Sequence, residues 1–145
     1  MSSKQSFISS GFIARILLGL GFLVFGLNFF LHFLPSPPPD PSTDAGKFLG
    51  GLFASGYFFV FLKLTETIFG ALLLINLFTR LVLLLLLSIT LNILLFHIFL
   101  APTTEGLVIA ILLFALNIYL IWLNRRFYLP LIQFSPKTPE NNAAV

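Results

Sequence analysis

A lysine and a glutamate three residues apart, Lys63 and Glu66, lie inside a long apolar segment and carry the strongest signal for chemistry. A charged side chain at the centre of a membrane-spanning helix costs roughly 2.5 to 3.5 kcal/mol, so such residues rarely lie there without a partner or a role. At this spacing both side chains share one helical face and can neutralise each other. An internal ion pair is therefore predicted. A purely structural role and a role at a ligand or proton site both stay open.

Further polar side chains occur in two other apolar segments. Asn28 and His32 lie four residues apart in the first, and Asn92 and His97 lie in the third. Because polar side chains avoid lipid, most of them are expected to face inward and to converge near Glu66. The alternative for each is an interhelical hydrogen bond, worth about 0.6 kcal/mol on average. The candidate ligand or proton residues are Lys63, Glu66, Asn92, His97, Asn28 and His32.

Metal and thiol chemistry find little support. Two histidines on different segments would allow a bis-histidine haem, but His32 lies just before Pro35, a poor place for a rigid axial ligand. No tight spacing of histidines and carboxylates indicates a metal site, and none is predicted. The chain has no cysteine, which excludes disulfides, thiol redox chemistry and cysteine-ligated iron–sulfur clusters. No catalytic residue is identified, and the chain is not expected to catalyse a reaction alone.

The composition is that of an integral membrane protein, with 58% hydrophobic and 9% charged residues and a mean hydropathy of +1.04. Each apolar segment is close to the ~20 residues that cross a bilayer core. The predicted spans are residues 12–33, 57–77, 81–100 and 107–123. Short connections between consecutive spans favour an all-α, up-down four-helix membrane bundle. Residues 12–128 form its single domain, between an N-terminal segment, 1–11, and a tail, 129–145, whose residues 135–145 are predicted to be disordered.

The first connection differs from the others. Its proline-rich stretch, residues 35–41, is predicted to be extended, because proline blocks a helix. Asp44 is then expected to cap a short apolar helix over residues 46–56. That helix is too short to span, so it is expected to lie on the outer interface or to dip into it.

Two stripes on the spans favour helix packing. Gly19 and Gly26 share a face of the first span with Arg15, and small residues allow close helix approach. Asn117 and Asn124 occur on the fourth span and are expected to form interhelical hydrogen bonds.

Basic residues flank one set of span ends: Lys4, Arg15, Arg80, Arg125, Arg126 and Lys137. The other ends carry Asp40, Asp44, Lys47 and Glu105. The positive-inside rule then places both termini in the cytoplasm. The net charge of +3 is small and scattered, so no binding of nucleic acid is expected.

The order of these elements resembles the DoxX family of small bacterial membrane proteins from about residue 14 to residue 128. The matching stretches are 14–30 (ARILLGLGFLVFGLNFF), 32–39 (HFLPSPPP), 45–57 (AGKFLGGLFASGY), 63–76 (KLTETIFGALLLIN) and 92–102 (NILLFHIFLAP). The chain departs from the family where Phe29 follows Asn28, a position at which relatives often have lysine, and in the stretch after Asn76.

The resemblance implies a protein of the bacterial inner membrane, in contact with the lipid bilayer and with other membrane subunits. The family takes its name from a membrane subunit of a thiosulfate:quinone oxidoreductase. A quinone- or lipid-binding subunit of a membrane redox complex is therefore expected. Glu66 and His97 would hydrogen-bond a headgroup or handle a proton, Lys63 would tune Glu66, and Asn92 would orient the ligand. The alternative is a non-catalytic structural or assembly subunit of a larger respiratory or photosynthetic complex.

The charge asymmetry generates a testable topology. A reporter fused after Pro41 is expected to be external, and a reporter fused after Gln133 is expected to be cytoplasmic, because basic residues stay inside. Alkaline phosphatase and fluorescent-protein fusions report the two sides independently. Both fusion points on the same side of the membrane would contradict the four-span arrangement.

Overall fold

The computed structural model describes residues 2–35 and 38–132, and every regular element in them is helical. The elements are α1 (Ser2–Leu31), α2 (Asp44–Ala54), α3 (Phe58–Leu74), α4 (Thr79–Phe99), α5 (Thr104–Leu123), α6 (Arg125–Tyr128) and a final 3₁₀ turn (Leu129–Ile132). The predicted all-α class is confirmed over these residues. The disorder predicted for residues 135–145 falls outside the described residues.

Three helical segments are each long and apolar enough to cross a membrane: Ser10–Leu31, Thr79–Phe99 and Thr104–Leu123. The helix α3 has 17 residues and covers about 26 Å, slightly less than a hydrocarbon core. It qualifies as a fourth span only together with α2, from which it is bent by 93°. These apolar helices are those of a membrane-embedded protein.

The helix α3 ends earlier than the predicted span over residues 57–77. Asn76 and Phe78 both have a left-handed backbone, with φ of 58° and 51°. A left-handed residue just after the last turn terminates a helix, whatever the hydropathy of its neighbours. Residues 75–78, apolar except for Asn76, therefore form the turn into α4.

Thr43 caps α2, and the expectation that Asp44 does so is wrong. Thr43 has the extended backbone of an N-cap, and its Oγ1 accepts a hydrogen bond from the Gly46 N–H at 3.0 Å. Asp44 is already the first helical residue and pairs instead with exposed Lys47 at 3.1 Å. At the other end of α2, Gly56 has φ of 76°, which permits the sharp bend into α3. A helix that lies along the membrane interface needs a bend of this kind before the chain enters a helix that crosses the membrane.

Asp40 closes the loop that precedes α2. Its carboxylate accepts hydrogen bonds from the backbone N–H and the hydroxyl of Ser42, at 2.8 and 2.7 Å. These hydrogen bonds stabilise the charged form and hold the pKa of Asp40 below its usual value. The loop therefore enters α2 in one fixed geometry.

The four long helices pack as two pairs, α1 with α3 and α4 with α5, and the pairs meet along α1–α5 and α3–α4. The core between them consists of Ala14, Leu18, Phe22, Leu73, Val82, Leu83, Leu86, Leu113 and Leu120. Phe48 of α2 contacts Phe96 near the end of α4, so α2 lies across one end of the molecule, called here the α2 end.

Glycines set the close approach of α1 to α3. A Cβ atom at Gly70 would overlap the backbone nitrogen of Leu23 and lie 2.8 Å from the carbonyl oxygen of Gly19. A Cβ atom at Gly26 would overlap Thr67. The packing role predicted for the glycine stripe is confirmed, because at these points the two backbones nearly touch.

Arg15 binds the C-terminal end of α3, the end away from α2. Its guanidinium donates hydrogen bonds to the carbonyl oxygens of Leu73 and Leu74, the latter at 3.1 Å. The last carbonyls of a helix lack regular helical partners and carry partial negative charge, which a cation stabilises. Arg15 therefore fixes the register of α1 against α3.

Tyr128, the last residue of α6, connects that helix to the start of α4. Its hydroxyl donates a hydrogen bond to the carbonyl oxygen of Arg80 at 2.9 Å, and the Arg80 guanidinium lies 3.2 Å above the ring of Phe127. Burial raises the pKa of Tyr128, and the positive charge of Arg80 opposes this only in part. The phenol therefore stays protonated and remains a donor at neutral pH.

Gly70→Ala is expected to destabilise the protein by about 1 to 3 kcal/mol, because the new methyl group forces α1 away from α3. Thermal unfolding in detergent measures the change. Gly50→Ala is the matched control, since a Cβ atom there meets nothing within 4 Å. The control should be neutral or stabilising by up to about 1 kcal/mol, because alanine favours a helix. A Gly70→Ala variant with the wild-type melting temperature would contradict the close contact.

Candidate functional site

The position of Glu66 follows from the contact between α1 and α3. Glu66, Gly70 and Leu73 are the buried residues of α3, spaced so that they share one face of the helix. Gly70 lies against the backbone of α1, so Glu66, one turn away, is carried into the same interface. Glu66 is consequently only 2% exposed.

Lys63 and Glu66 form the predicted ion pair. The Lys63 Nζ donates to the Glu66 Oε2 at 2.8 Å, and the side chains are 21% and 3% exposed, respectively. A carboxylate so deeply buried needs such a partner, because an isolated charge in an apolar interior is very costly. Lys63 is the more exposed member of the pair.

A cluster of aromatic rings lies on the α2 side of this pair. The cluster, called here the phenylalanine cluster, consists of Phe29, Phe30, Phe53 and Phe59. The ring of Phe59 lies 4.2 Å from that of Phe53 and 5.2 Å from that of Phe29, measured between centroids. The Lys63 Nζ lies 5.5 Å from the centroid of Phe59, within range of a cation–π interaction. α1, α2 and α3 each contribute a ring to the cluster, and Phe59 is the ring that joins it to Lys63.

Asn28 is buried, as predicted, on the helix that packs against α3. Its Oδ1 accepts a hydrogen bond from the Leu34 N–H at 2.6 Å, which turns the chain as it leaves α1. His32 belongs to that turn, with φ of 52°, and is exposed. The candidate His32 therefore lies at the end of α1 and not at the ion pair.

Asn92 and His97 also lie away from the ion pair. Asn92 is exposed on α4, and the buried residues of that helix are on its other side: Val82, Leu83, Leu86 and Thr90. His97 is at the turn into α5, where its Nδ1 lies 3.3 Å from the carbonyl oxygen of Ala101 and its ring is next to Gly106. Of the six candidate residues, Lys63 and Glu66 form an ion pair on α3, and Asn28 is buried on the helix that packs against α3. These three residues make up the candidate site.

In the part of the chain that the structure describes, Asn117 lies in the core without the hydrogen-bond partner that the sequence predicts for it. It is fully buried between Leu113 and Leu120 on α5, and neither its Nδ2 nor its Oδ1 has a hydrogen-bond partner within the described residues. The interhelical hydrogen bond expected of it is absent there, and a buried polar group in this state costs about 1 to 3 kcal/mol. Asn124 bonds within its own helix, to the Leu120 carbonyl at 2.8 Å.

Two open hollows lie on the surface. One, of about 430 Å³, follows the α3–α4 turn and is lined by Asn76, Phe78, Thr79, Arg80 and Leu81. The other, of about 240 Å³, lies between α2 and α4 and is lined by Phe48, Asn92, Leu95, Phe96, Phe99 and Leu100. Neither reaches Lys63 or Glu66. Across the part of the chain that the structure describes, no three histidine, cysteine or carboxylate side chains come together to hold a metal ion.

Comparisons of this chain with protein-family models, with curated proteins and with solved structures found no match. The chemistry of the site is therefore read from its own contacts. A buried carboxylate holds an ammonium group in place, and that ammonium has two further N–H donors beneath an aromatic cover.

Lys63→Met is expected to destabilise the protein by up to about 3 to 5 kcal/mol, because it leaves the Glu66 carboxylate buried and unpaired. The double variant Lys63→Met/Glu66→Gln should recover most of that loss, since it removes both charges. Lys47→Met is the matched control. It breaks an exposed pair of the same spacing and should change stability by less than about 1 kcal/mol. Equal melting temperatures for Lys63→Met and Lys47→Met would contradict a buried pair.

Proposed function

We propose that this chain is a membrane subunit that binds the headgroup of a quinone, or of a lipid, at the Lys63–Glu66 pair within a larger membrane redox complex. One observation carries the proposal: a partly exposed lysine, held by a buried carboxylate at 2.8 Å, beneath the phenylalanine cluster. Structural pairing alone does not call for a reachable ammonium under aromatic rings in the apolar part of a membrane helix.

The chemistry of a quinone suits this arrangement. Its ring carbonyls accept hydrogen bonds, and its flat ring stacks on phenylalanine faces. Glu66 uses one of the three N–H donors of Lys63, so the others are available to a ligand. A lipid headgroup offers the same kind of acceptor in its phosphate and ester oxygens. In either case the apolar tail lies along the exposed faces of the helices.

Each residue of the pair has its own role in this proposal. Lys63 donates to the ligand oxygen. Glu66 balances the charge of Lys63 and fixes the direction of its ammonium. Because Lys63 bonds to both, one residue separates Glu66 from the ligand oxygen, and a proton can pass between them through Lys63. Phe53 and Phe59 exclude water from the headgroup. His97, His32 and Asn92 take no part in it.

The proposal includes an orientation in the membrane. The long helices form an up-down bundle of four spans in a bacterial inner membrane, with both termini cytoplasmic and α2 on the outer interface. The distribution of charge supports it, because Asp40, Asp44 and Glu105 lie toward the α2 end while Arg15 and Arg80 lie toward the other. The resemblance to the DoxX family supports the same location.

A non-catalytic structural or assembly subunit is the second candidate. The observation in its favour is that Glu66 is only 2% exposed and that neither of the two surface hollows reaches it. In that case the ion pair serves only to neutralise two charges inside the membrane, and the larger complex needs the chain for its shape.

Ligand content separates the two candidates. The protein is purified in mild detergent, and its bound quinones and lipids are extracted and identified by mass spectrometry. The double variant Lys63→Met/Glu66→Gln should remain folded and lose ligand affinity roughly 10- to 100-fold, since a hydrogen bond from a charged donor is worth about 1.5 to 3 kcal/mol.

Asp44→Asn/Lys47→Met is the control, because it removes the exposed ion pair and leaves the buried one. Its ligand content should match that of the wild type. A folded Lys63→Met/Glu66→Gln variant with unchanged ligand occupancy would exclude the headgroup site and leave the structural subunit.

A further inference from the structure

The helix α4 presents an exposed seam opposite its buried face. The buried residues Val82, Leu83, Leu86 and Thr90 point toward the core. Successive residues of a helix are rotated by about 100° around its axis. On the side opposite the buried face, exposed residues follow one another at alternating intervals of four and three positions. These residues, called here the α4 seam, are Leu81, Leu85, Ser88, Asn92, Leu95 and Phe99. Heptad spacing along a whole helix is the pattern of a helix-pairing surface.

The apolar residues of the seam are compatible with contact with lipid, but the polar side chain of Asn92 is not. Its side chain is exposed, and within the described residues no hydrogen bond engages it. It precedes Phe99 by two turns, which places it about 10 Å from the α2 end of α4 and inside the hydrocarbon region. An amide that meets only hydrocarbon costs several kcal/mol. Asn92 therefore needs a partner that brings a hydrogen-bonding group to this depth.

We infer that the partner is a second copy of this chain, with the two α4 helices packed in parallel along their seams. Copies inserted in the same orientation are related by a two-fold axis along the membrane normal, which brings identical residues together at identical depth. An asparagine amide is both donor and acceptor, so Asn92 satisfies its own copy. A single asparagine in a heptad seam also fixes the register of the pair.

Two neighbouring features fit the same partner. The Ser88 hydroxyl donates to the Leu85 carbonyl of its own helix at 2.9 Å, and its oxygen can still accept a hydrogen bond from across the seam. The hollow of about 240 Å³ lies directly beside Asn92, and Leu95 and Phe99 of the seam line it. A side chain that projects from the second copy enters this hollow as a knob enters a hole.

The interface is separate from the proposed headgroup site, because Lys63 and Glu66 lie on α3 and do not belong to the seam. Dimerisation can therefore be tested without any ligand, and the two proposals succeed or fail independently.

Cysteine crosslinking tests the interface directly, since the chain has no cysteine of its own. Ser88→Cys is oxidised in native membranes, where a two-fold seam places the two thiols together. A disulfide-linked dimer is expected. Ala115→Cys is the control, because Ala115 is exposed on α5 at a depth similar to that of Ser88. No dimer from Ser88→Cys, or equal dimer from both variants, would overturn the inference, as would linkage of Ser88→Cys only to a different protein.

The role of Asn92 is tested by the monomer–dimer equilibrium of labelled protein in detergent, measured by energy transfer. Asn92→Leu should weaken dimerisation roughly 3- to 20-fold, the effect of losing an interhelical hydrogen bond of about 0.6 to 1.7 kcal/mol. Asn92→Gln should retain most of the wild-type affinity, because it keeps the amide. An Asn92→Leu variant that dimerises as well as the wild type would overturn the assignment of Asn92 as the contact that selects a second copy.

Discussion

The close contact between the backbones of α1 and α3 is the constraint on which the rest of the structure depends. It is possible only because Gly26 and Gly70 lack a Cβ atom at the crossing. Glu66 lies one turn from Gly70 on the same face, so the contact that joins the helices also buries the carboxylate. A carboxylate buried in this way needs a cation, and Lys63 supplies it from the preceding turn. The ion pair is thus a consequence of the glycine contact.

Contacts at both ends hold this helix pair in register. At one end Arg15 binds the last carbonyls of α3. At the other, the right-angled bend after α2 brings Phe53 over Phe59, and Phe29 of α1 packs against both. Phe53 therefore packs on Phe59, the ring beside Lys63, because α2 lies across the molecule instead of continuing into α3. The fold thus places the Lys63 ammonium beside the Phe59 ring, whereas Arg15 lies at the far end of α3.

Sequence reasoning reached the helical class, the membrane character, the ion pair and the glycine stripe, because each depends on residue type and on spacing within one helix. It could not assign helix faces. Most positions of α4 are apolar on every side of the helix, so no amphipathic pattern distinguishes core from lipid. The sequence therefore predicts Asn92 inside, although it is exposed. Asn117 was expected to have a partner for the same reason. The sequence places Arg15 on the glycine stripe and among the residues that mark orientation. It does not predict the hydrogen bonds of Arg15, because the accepting carbonyls lie on α3, far away in the chain.

The central claim is that Lys63, held by Glu66, donates a hydrogen bond to a headgroup oxygen. Infrared difference spectroscopy of the purified protein, loaded with a quinone that is isotope-labelled at its ring carbonyls, measures this bond at the oxygen itself. The account predicts that one carbonyl band moves to lower frequency in the wild type and that the shift is lost in Lys63→Met/Glu66→Gln. A carbonyl spectrum in the wild type identical to that of the same quinone in lipid alone would contradict it.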